Sequence, residues 1–184
     1  MRLLAVLLFV LPALARAEAL SELVADFTGD GVADRAVLVE TTEGGEADLL
    51  IYAGLPGGGE ALALRAPALV WVGGIGQQPS LDRTAGGSLQ VISMNDSIGR
   101  NRWRQILTIA WRGGAFVLAG FTYSWYDTLD LDASGTCDVN LLTGRGVLSE
   151  GPEDARTSAA FRTDLRAMPV AEWPGNPPPE CGLW

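Results

Sequence analysis

Short apolar runs separated by glycine-rich turns dominate the chain and predict β-strands. Residues 35–41 (RAVLVET) and 48–53 (DLLIYA) are two such runs. The segment between them, residues 42–45 (TEGG), has the composition of a hairpin connection. Further short apolar runs at 68–72 and 88–94 are bounded by glycine. The pattern therefore indicates several short strands that follow one another along the chain.

The clearest hairpin joins residues 104–111 to residues 115–126 through Arg112-Gly113-Gly114. In its second arm the alternation predicts one face for Val117, Ala119, Phe121, Tyr123 and Trp125, and the other face for Phe116 and Leu118. Both faces are partly apolar, which is typical of a central strand covered on two sides.

Helical signals are weak, because glycine and proline recur and no apolar period of 3.6 residues persists. Residues 139–142 and 146–148 predict another pair of strands, and the proline-rich end, 169–184, predicts an extended tail. We therefore expect an all-β fold with few or no helices. The strands should form an antiparallel meander in a single domain, residues 18–184, with a propeller-blade-like or sandwich-like arrangement.

The first 17 residues have the pattern of a signal peptide. Arg2 supplies the positive start, residues 3–11 (LLAVLLFVL) are apolar, and Ala15-Arg16-Ala17 is a small-x-small cleavage pattern. A membrane-spanning helix needs about 20 apolar residues, so this run is too short for one. We expect cleavage after Ala17, no membrane insertion, and a periplasmic or secreted mature protein that begins at Glu18.

Charge and missing residue types restrict the function. The chain has 13 basic and 22 acidic residues, a net charge of −9, and this becomes −11 once Arg2 and Arg16 leave with the signal peptide. Such a charge argues against nucleic acid as a partner. Histidine is absent, and this argues against serine-triad, cysteine-protease and zinc-hydrolase chemistry.

The two cysteines, Cys137 and Cys181, predict a disulfide, because an even pair in an exported protein usually forms one. A redox pair usually has Cys-x-x-Cys spacing, and two thiols without histidine make a poor metal site. We therefore expect a structural bond between the tail and the body of the domain.

A loop rich in aspartate, residues 26–34 (DFTGDGVAD), has the spacing of a calcium site. Calcium takes six to eight oxygen ligands, and alternate residues of a tight loop can point inward together. The expected ligands are Asp26, Thr28, Asp30, the carbonyl of Val32, and Asp34. Gly31 would permit the turn. The twelfth position is Val37 rather than glutamate, and a strand follows, so the loop is not an EF-hand.

Residues 24–38 (VADFTGDGVADRAVL), followed by 48–52 (DLLIY), resemble an FG-GAP or VCBS-type repeat. The resemblance covers residues 23–54 and implies a calcium loop between adjacent strands of a propeller blade, with the ligands named above. Thr28 departs from the aspartate or asparagine usual in that family. A closed propeller takes at least four blades, and no matching repeat follows at blade spacing. The alternative is a solvated Asp/Gly turn without an ion.

A second stretch, residues 130–138 (DLDASGTCD), repeats the spacing. Its possible ligands are Asp130, Asp132, Ser134, Thr136 and Asp138. Serine is a poor calcium ligand, and Leu131 and Cys137 do not match the family. The alternative is a loop held in place by the Cys137 disulfide.

A basic and aromatic segment is the predicted partner-binding surface. Arg100, Arg102 and Arg104 alternate, so their guanidinium groups would share one strand face. Trp103 and Tyr126 belong to the same region, with Trp111, Tyr123 and Trp125 nearby. Such a surface suits a carboxylate-rich protein or an anionic glycan. The alternatives are a solvated strand face for the arginines and a place in the core for the aromatic residues.

These observations favour a binding or interaction module with a structural calcium loop over an enzyme. One alternative is an enzyme that works with carboxylates alone, such as a glycosidase, using Asp96, Asp127 or Asp130. A second alternative is a purely structural component of the cell envelope. A deep cleft with two carboxylates would favour the enzyme, and an aromatic and arginine surface would favour binding.

Overall fold

The computed structural model describes residues 19–74 and 76–182, so the predicted signal peptide and Glu18 lie outside the described residues. The predicted all-β class is confirmed: the described residues form two antiparallel sheets and contain no α-helix. Two short 3₁₀ helices, Val170–Glu172 and Pro179–Cys181, lie in the proline-rich tail. The tail is therefore only partly extended.

The first sheet has the strand order β1-β2-β3-β4. Its strands are β1 (Ala19–Ala25), β2 (Asp34–Glu40), β3 (Glu46–Gly54) and β4 (Glu60–Trp71). The predicted run at 68–72 is the end of the twelve-residue β4, which runs through the positive φ of Ala68. The hairpin between the runs at 35–41 and 48–53 is confirmed as β2 and β3.

The second sheet is also a meander, with the order β11-β10-β9-β8-β7-β6-β5. Its strands are β5 (Ser80–Arg83), β6 (Leu89–Asn95), β7 (Asn101–Arg112), β8 (Ala115–Asp127), β9 (Ser134–Asn140), β10 (Arg145–Glu150) and β11 (Thr157–Arg162). A two-residue strand, β12 (Met168–Pro169), pairs with β8 opposite Val117 and Leu118. The tail thus returns to the middle of this sheet.

The predicted hairpin of β7 and β8 is confirmed, but the predicted faces of β8 are wrong in its first half. Thr108 pairs with Gly120 while Ile109 pairs with Leu118, so Ala119 is an extra residue on β8. Such a β-bulge shifts the alternation by one position. Phe116 and Leu118 consequently lie on the same core-facing side as Phe121.

One hydrophobic core is shared by the two sheets. Its largest fully buried side chains include Leu38, Leu49 and Ile51 from the first sheet and Leu107, Leu118, Phe121 and Val139 from the second. The inner face of the second sheet is the face that carries Leu107 and Phe121. The outer face carries Arg104, Ser124 and Thr136, which lie on the opposite side of the same strands.

In the described part of the chain, no helix has the length and the apolar composition needed to cross a membrane.

Candidate functional site

A row of aromatic rings continues the core along the inner face of the second sheet. Trp103 of β7 lies opposite Trp125 of β8. The ring centroids of Trp103 and Tyr123 are 5.9 Å apart, those of Tyr123 and Trp125 are 6.3 Å apart, and Trp71 of β4 lies 5.6 Å from Trp103. We call Trp71, Trp103, Tyr123 and Trp125 the aromatic row. All four side chains are half-buried, so the row lies between the core and solvent.

The aromatic row is anchored in the core at its inner end. Phe121 stacks on Tyr123 with a centroid distance of 6.3 Å, and Trp173 of the tail lies 5.9 Å from Phe121. Near its outer end, Trp125 lies flat against the backbone of Gly135 on β9, where a Cβ atom would stand 2.4 Å from the indole. The alternation of β8 after the bulge therefore places large rings side by side, each held by a neighbour.

A cavity of about 710 Å³ opens over three rings of the row, Trp103, Tyr123 and Trp125. Its walls come from the β6–β7 loop, the end of β8 and the tail residues Gly175, Pro177 and Gly182. We call this cavity the trough. It falls within the range of about 300–1,000 Å³ typical of small-molecule sites.

The predicted disulfide is confirmed, and it holds the tail wall of the trough. Cys137 on β9 is bonded to Cys181, with 5.6 Å between their Cα atoms, and both residues are buried. Gly182, the next residue, lines the trough. The bond therefore joins the tail to the strand that lies beside Trp125 and the aromatic row.

An ion pair stands at the rim of the trough. The Arg100 Nη2 atom lies 2.6 Å from Asp127 Oδ2, and Arg100 Nε donates to Asp127 Oδ1 at 2.8 Å. The hydrogen bond from Arg100, with a second one from the Leu129 backbone N–H, lowers the pKa of Asp127. The same pair raises the pKa of Arg100. Both groups are therefore charged at neutral pH, and the pair is neutral as a whole.

Tyr123 supplies a neutral phenol to the trough. Burial disfavours the phenolate and raises the pKa of Tyr123 to about 12. The hydroxyl therefore keeps its proton at every physiological pH, as both donor and acceptor.

Four of the five predicted partner-binding residues line the trough: Arg100, Arg102, Trp103 and Tyr126. Arg102 donates from Nη1 to the carbonyl of Gly99, which orients its guanidinium. Arg104 does not line the trough. It is exposed on the outer face, where it pairs with Ser124. Of the three arginines, only Arg100 and Arg102 therefore line the trough.

The trough is also lined by residues that the sequence did not predict as site residues, among them Glu150 and the tail residues Gly175, Pro177 and Gly182. The disulfide was the available signal for the tail, because Cys181 had to lie close to β9. Of the acidic residues considered for catalysis, Asp127 lines the trough, and Asp96 and Asp130 do not. The backbone N–H of Asp96 donates to the side chain of Gln77, and the carbonyl of Asp130 accepts from Ala133.

The loop at 26–34 is closed by hydrogen bonds from backbone N–H groups to its carboxylates. Asp26 accepts from Gly29 at 2.6 Å and from Gly31 at 2.9 Å, and Asp30 accepts from Val32 at 2.8 Å. The bonds from Gly31 and Gly29 lower the pKa of Asp26. The Thr28 hydroxyl lies 3.4 Å from Asp26 Oδ1. Asp26 and Asp30 therefore behave as turn-forming residues in this arrangement.

Asp34 has a different environment, because its side chain is fully buried. Its Oδ2 accepts from Phe27 N–H at 2.8 Å and Thr28 N–H at 3.0 Å, and its Oδ1 accepts from Gly54 N–H at 3.0 Å. The carboxylate thus joins the loop to the end of β3. Among the described residues, no three acidic, cysteine or histidine side chains come close enough to hold a metal ion, so Asp26, Asp30 and Asp34 do not converge here.

The second stretch, residues 130–138, does not form one loop. Asp130 and Asp132 lie in a turn, whereas Ser134, Thr136 and Asp138 lie on β9. The three strand residues have other partners: Ser134 donates to the Gly151 carbonyl, Thr136 to Ser124, and Asp138 accepts from Thr122 at 2.7 Å. Their side chains are spread along an extended strand.

No protein-family model, curated protein or solved structure matches this chain.

Proposed function

We propose that the protein is a periplasmic or secreted binding module, and that its ligand is a glycan that lies in the trough. The observation that carries the proposal is the aromatic row at the floor of an open, concave cavity with a polar rim. The disulfide supports a location outside the cytoplasm, because such bonds persist in oxidising compartments.

The shape of the site favours a glycan over a protein surface. A stable protein interface buries about 800 Å² on each partner over a broad surface. The trough is a concave cavity of about 710 Å³, suited to a compact ligand. Sugar rings have apolar C–H faces and polar edges. They match aromatic rings bordered by arginine, by Asn95 and Asn101, and by a neutral tyrosine hydroxyl.

Charge at the rim favours binding over acid–base catalysis. A glycosidase needs one carboxylic acid with a raised pKa, to protonate the leaving group. Arg100 has the opposite effect on Asp127, whose pKa is lowered. Asp127 and Arg100 are better suited to accept from and donate to sugar hydroxyl groups.

The test is a screen of neutral and acidic oligosaccharides on a printed array, followed by calorimetry with the best ligand. We expect Trp103→Ala to weaken binding by about ten-fold or more, equivalent to about 1.4 kcal/mol, because it removes one of the three rings that line the trough. Arg104→Ala, on the outer face, is the matched control and should bind like the wild type. Thermal melts of both variants establish that they are folded.

Two results would contradict the glycan proposal. One is the absence of any array signal above that of a protein without a trough. The other is an equal loss of glycan affinity in Trp103→Ala and Arg104→Ala, which would show that the glycan does not bind in the trough. Release of shortened oligosaccharides by the wild type, abolished in Asp127→Asn, would instead support the glycosidase alternative.

For the loop at 26–34 we propose weak calcium binding that stabilises the fold. The support is the alternation of oxygen side chains and the exposure of Asp30 in the middle of the loop. The carboxylates of Asp26 and Asp30 would have to turn from backbone N–H groups to the ion, so we expect a site that fills only near millimolar calcium.

We expect saturating calcium to add about 1–3 kcal/mol to the free energy of unfolding, because the folded loop binds the ion and the unfolded chain scarcely does. Magnesium should add less, since it keeps its own waters. Asp30→Ala should abolish the calcium effect, whereas Asp154→Ala, an exposed aspartate outside the loop, should keep it. Thermal melts with chelator, magnesium or calcium measure this. A wild-type midpoint that ignores several millimolar calcium would refute the proposal.

A further inference from the structure

Strand β11 is an open edge of the second sheet. It pairs with β10 on one side, and no strand of the described residues pairs with it on the other. The remaining sheet edges have neighbours: β1 and β5 lie against each other, and β4 lies against the 3₁₀ helix at 170–172. Proteins usually cover or blunt such an edge with proline, charged side chains, a bulge or a very short strand. β11 (TSAAFR) is six residues long and has neither proline nor a bulge, and its one charged residue is Arg162.

The hydrogen-bond alternation shows which residues of β11 offer free backbone groups. Thr163 N–H donates to the Gly144 carbonyl at 3.0 Å, in register with the β10–β11 ladder. Bonding positions alternate in an antiparallel pair, so residues 157, 159 and 161 also bond to β10. Residues 158, 160 and 162 therefore direct their N–H and C=O groups away from the sheet. Gly151 N–H, which bonds to β9 at Ser134, fits the same alternation.

Two arginines stand directly opposite each other at this edge. Arg145 of β10 pairs with Arg162 of β11, at a position where no backbone hydrogen bonds are exchanged. Such pairs bring Cα atoms to about 4.5 Å, and like charges placed there destabilise a sheet. Both side chains are exposed, and neither forms an ion pair with the described residues. A pair of arginines that forms no ion pair within the described part of the chain is unusual in a protein with a net charge of −9.

A shallow cavity of about 540 Å³ lies beside the two arginines. It is also lined by Val147 and Ala160, which form the next pair along the same face of β10 and β11. One acidic group, Asp138, also lines it. Asp138 lies on β9, two strands in from the edge, and accepts a hydrogen bond from Thr122. The charge nearest the open edge is therefore positive.

We propose that β11 receives an extended acidic segment of a partner protein, which adds as a further strand to the second sheet. The partner backbone pairs with residues 158, 160 and 162, and a partner carboxylate lies on Arg162 and Arg145. Neighbouring strands are about 4.8 Å apart, so a carboxylate on the added strand is within reach of both long side chains. Strand addition of this kind takes affinity from backbone bonds and specificity from side chains on alternate positions.

The test uses a fluorescent eight-residue peptide in which valine alternates with glutamate, and a matched peptide with glutamine in place of glutamate. Fluorescence polarisation at low salt should show that the acidic peptide binds at least about ten-fold more tightly than the glutamine peptide. Arg145→Gln combined with Arg162→Gln should remove this preference. Arg104→Gln, an exposed arginine on the same face but away from the edge, should leave it unchanged.

The backbone part of the proposal has its own variant. Ala160→Pro removes an outward N–H and no bond to β10, so the fold should persist while peptide binding is lost. Hydrogen exchange should slow at residues 158, 160 and 162 when the acidic peptide is added to the wild type. A thermal melt checks that Ala160→Pro is folded, and the double arginine variant tests the proposal if it is not.

Several outcomes would overturn the proposal. No binding of the acidic peptide up to about 1 mM is one, and unchanged binding by Ala160→Pro is another. If free succinate or phosphate displaced the peptide at concentrations as low as the dissociation constant of the peptide, the arginines would be assigned to a small anion. A peptide-free dimer of the wild type, abolished by Ala160→Pro, would assign the edge to a second copy. None of these outcomes depends on whether the trough binds a glycan.

Discussion

Replacing Asp34 with alanine should lower the free energy of unfolding by roughly 3–5 kcal/mol. The fully buried carboxylate accepts three backbone N–H groups, from Phe27, Thr28 and Gly54. Each buried donor left without an acceptor costs about 1–3 kcal/mol. Gly54 also fits tightly, since a Cβ atom there would stand 2.3 Å from the Ala33 carbonyl, so the loop cannot simply collapse into the space. Urea denaturation followed by tryptophan fluorescence measures the change.

Asp30→Ala is the matched control, because Asp30 is exposed and accepts one N–H, from Val32. It should cost about 1 kcal/mol or less in calcium-free buffer. The free energy of unfolding lost in Asp34→Asn should lie between the losses in Asp30→Ala and Asp34→Ala, because the amide keeps one acceptor oxygen. Equal losses for Asp30→Ala and Asp34→Ala would show that the buried carboxylate does not connect the loop to β3 as described.

Removing the disulfide is the second change for which we expect a large effect. Cys137 and Cys181 are 44 positions apart, and closing a loop of this length restricts the unfolded chain by about 4 kcal/mol in the chain-entropy treatment. Cys137→Ala combined with Cys181→Ala should therefore lower the free energy of unfolding by about that amount. Urea denaturation of the oxidised wild type and the double variant measures it.

The wild type treated with reductant is the control, and it should match the double variant within about 1 kcal/mol. The variant should also bind the trough ligand less tightly, because Gly182 and Pro177 lose their attachment to β9. If the urea midpoint were the same for the oxidised wild type, the reduced wild type and the double variant, the bond would have no stabilising role.

Local patterns made the strands predictable. The pairing of β2 with β3 follows from two apolar runs, 35–41 and 48–53, separated by a short turn. The pairing of β7 with β8 follows from the turn at Gly113-Gly114. Both glycines have positive φ, 59° and 84°, as a tight hairpin turn requires. The disulfide was equally accessible, because only two cysteines are present.

Features that depend on contacts distant in sequence were not predictable in the same way. The bulge at Ala119 lies beside Gly120, and an isolated glycine inside a strand is a general signal for a bulge. That signal alone does not say which residues of β8 change face. β11 is short and mostly exposed, so its strand character depends on pairing with β10. The spacing at 130–138 matched that of the first loop, yet pairing with β8 and β10 makes its second half a strand.

The meander order also determines when the trough can be completed. Each main strand of the two sheets pairs with its neighbour in the chain, so the sheets can form hairpin by hairpin as synthesis proceeds from the first residue. Three rings of the aromatic row, those of Trp103, Tyr123 and Trp125, are in place once β7 and β8 have paired. The far wall of the trough forms only after Cys181, which follows every strand of both sheets in the chain, has been made and the thiol pair has been oxidised. A chain that has folded but has not met an oxidant would therefore present the rings of the row to any neighbouring apolar surface.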